Sequence, residues 1–175
     1  MTDTKPRNEQ DTPRLAAIYA AGAVRRWHAN PDMADCVQTI ADHQGRCVQL
    51  LALLHPAPSA DLLIMAAFHD QAERWVGDLP GPFKRAHRAV AEAHAAIEAR
   101  ILRSILHIQI SQTDQQWLGL VDRLEAYAFM AFTRPRLTFR PDWRAVKSAI
   151  LDSAAELGCA VEVGAMIDDL QDMRW

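Results

Sequence analysis

Apolar positions spaced three and four residues apart recur along most of the chain, often within alanine-rich segments. No window shows the sustained alternation of apolar and polar residues that a half-buried β-strand needs. The pattern therefore predicts an all-α protein, a single compact bundle of about six to seven helices. Half of the 175 residues are hydrophobic, which suits one domain over residues 1–175, with residues 1–11 as a polar and flexible N-terminal tail.

Proline and capping signals divide the first half of the chain into three helices. These helices are expected over about residues 12–27, 34–54 and 59–76. Ser59 is the predicted N-cap of the third helix, and Gly77 is its predicted end.

The second half of the chain is expected to begin with a long amphipathic helix over about residues 83–105. Thr113 and Gln116 then form a predicted capping box for a helix through about residue 132. A loop with two prolines covers residues 134–141, and Asp142 is the predicted cap of a helix that stops at Gly158. A last helical segment is expected over residues 163–173.

The net charge, the length of the apolar stretches and the cysteine spacing each exclude certain partners or kinds of site. The net charge of -3 shows no basic excess, so a long nucleic acid is disfavoured as a partner and a small molecule is favoured. The longest strongly apolar stretch, residues 62–68, is too short to span a bilayer, so we expect no membrane partner and a cytoplasmic location. The three cysteines, Cys36, Cys47 and Cys159, lack Cys-x-x-Cys spacing, which predicts buried thiols rather than disulfides or a zinc-thiolate site.

The candidate chemistry centres on the adjacent pair His69-Asp70. An imidazole and a carboxylate side by side, joined by His43 from an earlier helix and Asp122 from a later one, would supply two nitrogen and two oxygen ligands. This donor set suits one divalent transition metal ion and does not choose among Zn²⁺, Mn²⁺, Co²⁺, Fe²⁺ and Ni²⁺. A metal-dependent phosphohydrolase is therefore the leading interpretation.

Further side chains could serve such a reaction. Glu73 follows the pair by about one helical turn and could accept a proton from an attacking water, as could Asp78. Arg26 and Lys84 are candidate cations for phosphate oxygens, and the indole of Trp27 could stack on a base.

Simpler interpretations exist for several of these residues. Asp78 stands where an aspartate commonly bonds the backbone of a turn. Lys84 could be a charged residue in the first turn of a helix, although cations are disfavoured at that end. The other five histidines are interpreted as structural or solvated, and the alternative is that one of two supports a second metal. They are His28, His55 and His87, and then His94 and His107, the two candidate second-metal ligands.

The ordered combination resembles the HD-domain superfamily of phosphohydrolases, within it the bacterial 5'-deoxynucleotidases and the dATP triphosphohydrolases of certain bacteriophages. The resemblance covers about residues 21–127 and rests on five segments. They are Arg26-Trp27, Asp42-His43, His69-Asp70-x-x-Glu73, Gly77-Asp78-Leu79-Pro80-x-Pro82-x-Lys84 and Asp122-Arg123-Leu124-Glu125. Arg74 directly after Glu73 disfavours the related guanosine tetraphosphate hydrolases, which have an acidic residue there.

The resemblance implies a role for each matched residue. The metal ligands would be His43, His69, Asp70 and Asp122, the catalytic residues Glu73 and Asp78, and the substrate contacts Arg26, Trp27 and Lys84. It implies hydrolysis of deoxynucleotides, either as a 5'-nucleotidase on monophosphates or as a triphosphohydrolase on purine triphosphates, with dATP as a candidate. It also implies a homo-oligomer, a dimer or a hexamer.

Two other classes of function stay open from the sequence. One is a nucleotide-binding regulator that binds its ligand without turnover, and the other is a helical interaction protein without chemistry. The base preference is open too, because His28 and Ala29 follow the Arg-Trp pair where relatives carry particular apolar side chains.

Overall fold

A computed structural model describes residues 14–172 of the chain, with side chains for residues 15–170. The helices are α1 (Arg14–Gly22), α2 (Ile40–Leu54), α3 (Ala60–Phe68), α4 (Glu73–Val76), α5 (Gly81–Ala86), α6 (Arg88–Ile105), α7 (Gln112–Thr133), α8 (Pro141–Glu156) and α9 (Ala160–Asp172), with a 3-10 helix over Pro135–Phe139. Within this part of the chain the β-structure is a single isolated bridge between Arg25 and Thr39. The predicted all-α fold is confirmed.

In the described chain, seven helices have nine residues or more, which matches the predicted six to seven; the short helices α4 and α5 arise where two predicted helices are divided. The expected N-terminal tail lies outside the described residues. No helix of the described chain is long and apolar enough to cross a membrane.

Helix α7 lies at the centre of the bundle and packs against α2, α3, α8 and α9. One face of α7 is at most 1 % exposed and supplies Leu120, Val121, Leu124, Tyr127 and Met130. The residues that meet this face include Cys47, Leu51 and Leu62 from α2 and α3, and Ile150, Val163 and Ile167 from α8 and α9. This shared core sets the positions of α2, α3 and α7 relative to one another.

The first two helices are shorter than predicted because their connecting segment pairs with itself. Val24 O accepts a hydrogen bond from the Ile40 N–H at 2.9 Å, and Gln38 O accepts one from the Arg26 N–H at 2.9 Å. Helix α1 therefore ends at Gly22 rather than near Trp27. Helix α2 begins at Ile40 because Thr39 and Asp42 form a reciprocal capping box.

The predicted third helix is divided at the His69-Asp70 pair. The Nδ1 of His69 bonds Ala66 O at 2.8 Å, a carbonyl that would otherwise accept the next helical N–H. The side-chain amide of Gln44 bonds two backbone groups at this point: its nitrogen donates to Ala67 O, and its oxygen accepts from the Asp70 N–H at 3.2 Å. Helix α3 therefore ends at Phe68, and Glu73 begins α4. Ser59 is the N-cap, and Gly77 ends α4 with a φ of 74°.

The predicted helix over residues 83–105 is two helices joined at His87, whose φ of -128° and ψ of 68° are not helical. Helix α6 has no buried residue and packs mainly on α4 and α5. His94, one of the two candidate second-metal ligands, bonds Gly77 O at 3.0 Å and lies 3.2 Å from Glu98. It ties α6 to the end of α4.

Several predicted ends in the second half shift by a few residues. The capping box of α7 is Ser111 with Asp114, two residues before the predicted pair of Thr113 and Gln116. Part of the predicted loop at 134–141 is the 3-10 helix. Asp142 is not the N-cap of α8; it lies in the first turn and accepts from the Arg140 guanidinium at 3.2 and 3.3 Å. Helix α9 begins at residue 160, three residues before the prediction, and residue 173 lies outside the described chain.

Two leucines of α2 provide a matched test of the core. Leu51 is 0 % exposed and Leu53 is 72 % exposed, so the same substitution removes a packed side chain in one case and a solvated one in the other. We expect Leu51→Ala to lower the free energy of unfolding by about 2 to 5 kcal/mol. Leu53→Ala should change it by less than about 0.5 kcal/mol. Urea denaturation of both variants measures the difference, and equal losses would contradict this packing.

Candidate metal centre and adjoining pocket

Two histidines from different helices face each other through the same ring nitrogen. His43 of α2 is fully buried, and its Nε2 lies 3.2 Å from the Nε2 of His69, the residue at the end of α3. Each Nδ1 is engaged elsewhere, in His43 with Glu125 Oε2 at 2.5 Å and in His69 with Ala66 O at 2.8 Å. Because carboxylate and carbonyl oxygens accept, each Nδ1 carries a hydrogen, and the two Nε2 atoms face one another.

Two carboxylates approach the same point. The Nε2 of His43 lies 3.1 Å from Asp122 Oδ1 and 3.3 Å from Asp70 Oδ2. The Nε2 of His69 lies 3.4 Å from Asp70 Oδ1 and 3.9 Å from Asp122 Oδ1. The four predicted metal ligands span 79 positions of the sequence, and the fold brings them together at one point, which we call the metal centre.

A positive charge, either a proton or a cation, stabilises a cluster of hydrogen-bond acceptors such as this one. Burial opposes a charge on His43, but hydrogen bonding, first of all with Asp122, raises its pKa to about 11. The Asp122 side chain is 41 % exposed, and the hydrogen bond with His43 and the positive charge of the neighbouring imidazole and guanidinium groups hold the pKa of Asp122 well below its usual range. A single proton on Nε2 can serve one of the three acceptors around it, whereas a divalent cation can bind all of the facing atoms.

A buried thiol adjoins this pair of histidines. Cys47 lies one turn after His43 on α2, with its Sγ 3.7 Å from Nε2 and 3.8 Å from Nδ1 of that ring. Together His43, Cys47 and His69 form a group that could hold a metal ion. All three cysteines are free and buried, as predicted, and burial raises the pKa of the Cys47 thiol.

Glu125 bonds the His43 ring through Nδ1, the nitrogen that does not face His69. It is 2 % exposed and accepts from His43 Nδ1, and its other oxygen accepts from Gln38 Nε2 at 2.6 Å. Arg26 NH1 lies 3.4 Å from the same carboxylate and its NH2 lies 4.0 Å from Asp122. This arrangement sets the tautomer and the orientation of the His43 ring, which is how carboxylates orient metal-binding histidines.

Glu73 is a buried carboxyl group at the start of α4. It is 7 % exposed, and its Oε2 has no hydrogen-bond partner within the described residues. Burial and the neighbouring Asp70 and Asp78 raise the pKa of Glu73 to about 9. Such an unsatisfied oxygen is costly unless a water or another polar group reaches it.

A pocket of about 320 Å³ opens beside Asp122. Its lining includes the cations Arg26, Lys84, Arg85 and Arg123, the aromatic rings of Trp27 and Trp143, and the Asp78 carboxylate. The predicted substrate contacts and Asp78 therefore share one cavity with a residue of the centre.

Asp78 and Lys84 face each other across the proline-containing turn at a distance of 3.9 Å. No hydrogen bond joins the Asp78 side chain to the backbone of that turn in the described chain, so the simple turn interpretation is not supported. Lys84 lies in the last turn of α5 rather than in a first turn. A cation is favoured at that end, so the helix dipole does not argue for a ligand role.

Trp27 is only partly exposed and stacks on Phe129, with ring centroids 6.0 Å apart and planes 12° apart. Its indole N–H donates to Gln38 Oε1 at 2.6 Å. One face of the ring is thus committed to packing, and the accessible remainder lines the pocket.

Three residues of the site were not singled out as functional from the sequence, namely Gln38, Cys47 and Glu125. The spacings His43-x-x-x-Cys47 and Asp122-x-x-Glu125 place each pair on one helix face and were available as signals. Gln38 lies outside a helix, and nothing in its surrounding sequence marks it.

Comparison with known proteins finds no matching family model, no similar curated protein and no similar solved structure.

Proposed function

We propose that the protein is a metal-dependent phosphohydrolase that acts on deoxyribonucleotides, of the HD-domain type. The observation that carries the proposal is the convergence of His43 Nε2, His69 Nε2 and two carboxylates, with both Nδ1 atoms bonded to acceptors.

The spacing of these atoms suits a divalent ion. Ligand atoms about 2.1 Å from a metal are about 3.0 to 3.4 Å apart in octahedral or tetrahedral geometry, and the facing atoms here are 3.1 to 3.9 Å apart. Asp70 and Asp122 extend the histidine pair to four ligands. Cys47 Sγ is nearly equidistant from both nitrogens of the His43 ring, which places it beside the ring rather than on the Nε2 lone pair.

A bound divalent cation supplies Lewis acidity, which lowers the pKa of a coordinated water toward about 7 and offsets charge on a phosphate oxygen. Zn²⁺, Mn²⁺, Co²⁺, Fe²⁺ and Ni²⁺ all suit the donor set.

The pocket supplies what a nucleotide needs beside such an ion. Arg26 and Lys84 offer fixed positive charge to phosphate oxygens. Trp27, with Trp143 and Val146, forms an apolar wall against which a base or sugar can pack. A volume of about 320 Å³ lies at the lower end for small-ligand sites, which favours one nucleotide over a polymer.

Proton transfer is assigned to the carboxyl groups around the centre. Within the described residues, Glu73 Oε2 has no hydrogen-bond partner. A divalent cation bound beside Asp70 would favour the ionised form of Glu73, and in that form Glu73 is the leading acceptor for the proton of an attacking water. Asp78 lies on the pocket side and is the second candidate; its pairing with Lys84 also sets the position of that cation.

The experiment that tests the function is a product assay on the four deoxynucleoside mono- and triphosphates and their ribose counterparts, with Mn²⁺, Co²⁺ or Zn²⁺. We expect metal-dependent release of deoxynucleoside. Free phosphate as the other product identifies a 5'-nucleotidase, and intact triphosphate identifies a triphosphohydrolase on purine nucleotides such as dATP. Nucleotide binding without turnover under every metal would contradict the enzyme and favour a regulator. Binding of neither metal nor nucleotide would favour an interaction protein.

Lys84 provides a test of phosphate recognition. We expect Lys84→Met to raise the KM for the hydrolysed nucleotide about tenfold, the loss of one charge-assisted hydrogen bond, with a smaller change in kcat. Arg88→Met is the matched control, because Arg88 is 89 % exposed and pairs with Glu92 outside the pocket. Steady-state kinetics on both variants measure the effect. Equal KM values for Lys84→Met and the wild type would remove Lys84 from the substrate site.

The resemblance to the HD-domain superfamily also implies a homo-oligomer, either a dimer or a hexamer. Light scattering after size-exclusion chromatography decides between these states and a monomer.

A further inference from the structure

A continuous set of hydrogen bonds joins the pocket to the metal centre. The Trp27 indole N–H donates to Gln38 Oε1 at 2.6 Å, and Gln38 Nε2 donates to Glu125 Oε1 at 2.6 Å. The other oxygen of Glu125 accepts from His43 Nδ1 at 2.5 Å. Three bonds therefore connect an aromatic ring of the pocket wall to a residue of the centre.

The direction of each bond is determined by chemistry. An indole N–H only donates and a carboxylate only accepts, so the Gln38 amide has one orientation that satisfies both partners. Gln38 and His43 are fully buried and Glu125 is 2 % exposed. Water is therefore excluded from the middle of this set, and a lost bond cannot be replaced by solvent.

The backbone at Trp27 shows that its position is imposed. Its φ of 67° makes it the one residue other than glycine with a positive φ in the described chain. A bulky aromatic residue adopts this conformation only where its surroundings determine it. The Arg26 N–H bond to Gln38 O and the indole bond to the Gln38 side chain provide that constraint.

We infer that Gln38 and Glu125 are positioning residues that couple the Trp27 ring to the metal centre, so that removing the indole N–H weakens metal binding. The inference rests on the proposed metal site. A cation on His43 Nε2 makes Nδ1–H a stronger donor to Glu125, and the change passes through Gln38 to Trp27 because bonds in a buried set polarise one another. By linkage, a ligand that packs on Trp27 and a metal at the centre would change each other's affinity by the same factor.

Metal titration of purified full-length protein tests the coupling without any turnover. We expect Gln38→Met to lower the Co²⁺ affinity about tenfold, as for other supporting residues of metal sites. Trp27→Phe should lower it about threefold, because one bond of the set is lost. Phenylalanine keeps an aromatic ring beneath Arg26, whose guanidinium lies 5.8 Å from the Trp27 ring centroid. The change therefore removes the N–H donor together with part of the ring contact to Phe129, and a Phe129 variant measures the contribution of that contact.

The control and the double variant exclude a merely structural effect. Phe129→Leu removes the stacking partner of Trp27 but no bond of the set, and should leave the Co²⁺ affinity within about twofold of the wild type. Trp27→Phe in the Gln38→Met background should cause no further loss, since the path is already broken. Calorimetry gives the affinities, and thermal unfolding of the metal-free variants verifies that each is folded.

A spectroscopic readout reports the reverse direction. In protein labelled with ¹⁵N at tryptophan, the indole N–H signal missing from Trp27→Phe identifies Trp27. We expect Zn²⁺ to shift this signal in the wild type and to leave it in place in Gln38→Met. A signal unmoved by Zn²⁺, or Co²⁺ affinities equal in wild type and Gln38→Met, would overturn this inference alone. Absence of Co²⁺ binding to the wild type would overturn it together with the proposed metal site, whereas metal binding without hydrolysis would overturn only the enzymatic proposal.

Discussion

Asp70→Asn is expected to abolish hydrolysis and to weaken Co²⁺ or Zn²⁺ binding by more than about 100-fold, beyond the loss caused by supporting residues. The Asp70 carboxylate faces both histidines, at 3.3 and 3.4 Å from their Nε2 atoms. Asparagine keeps the shape of the side chain but removes the charge that balances a cation. The backbone N–H of Asp70, which bonds the Gln44 amide oxygen, is unaffected, so the fold should persist.

Thermal unfolding measures this effect without substrate. A metal at about 100 times its Kd stabilises the folded state by about 2.7 kcal/mol, which raises the Tm by about 5 to 10 °C for a chain of this size. Asp70→Asn should lose this rise. The control is Asp61→Asn, in the first turn of α3, which should keep both the rise and the turnover. A full metal-induced rise in Asp70→Asn would show that the ion is held elsewhere.

Glu73→Gln is expected to lower kcat about 10²- to 10⁴-fold, the usual contribution of a general base, while metal affinity stays close to that of the wild type. The substitution preserves the volume of a buried side chain. It removes the oxygen that could take a proton from water, because an amide is not a base near neutral pH.

The stability of Glu73→Gln separates this role from a structural one. Burial and two nearby carboxylates raise the pKa of Glu73 to about 9, so a neutral amide should fold at least as well as the acid. Glu92→Gln, at an exposed site on α6, is the control for kinetics and unfolding. A kcat within about threefold of the wild type would exclude Glu73 as the proton acceptor and turn attention to Asp78.

Where sequence prediction of the helices succeeded, a local signal decided the outcome. Ser59 caps α3 through its own side chain, and Gly77 ends α4 with a positive φ. Two of the wrong boundaries come from competing hydrogen bonds that the spacing of apolar residues does not indicate. The pairing of residues 24–26 with 38–40 shortens α1 and α2, and the His69 bond to Ala66 O, with Gln44 holding the Asp70 N–H, divides the third helix.

The candidate site likewise combines residues that the sequence predicts with contacts that only the tertiary structure provides. The residue types at positions 43, 69, 70 and 122 predict a metal site from their chemistry and order along the chain, because imidazole and carboxylate groups together are the ligands of divalent transition metals. Their convergence depends on α2, α3 and α7 packing on a common core. The Asp122-x-x-Glu125 spacing could have marked Glu125 as a neighbour of the site, but nothing in the sequence around Gln38 marks it. The bonds from Gln38 and His43 to Glu125 join residues more than 80 positions apart and depend on the packed helices.

By itself, the sequence determined the all-α class, most of the longer helices and the residues able to carry metal and phosphate chemistry. These follow from the periodicity of apolar positions and from side-chain chemistry, both of which are local properties. Only the tertiary structure decided that His69 and Asp70 lie at a helix break, that both Nδ1 atoms are committed to acceptors, and that Trp27 is bonded to the centre through buried groups. Those features depend on which side chains the packed helices bring within hydrogen-bonding distance, and that is a property of the whole fold.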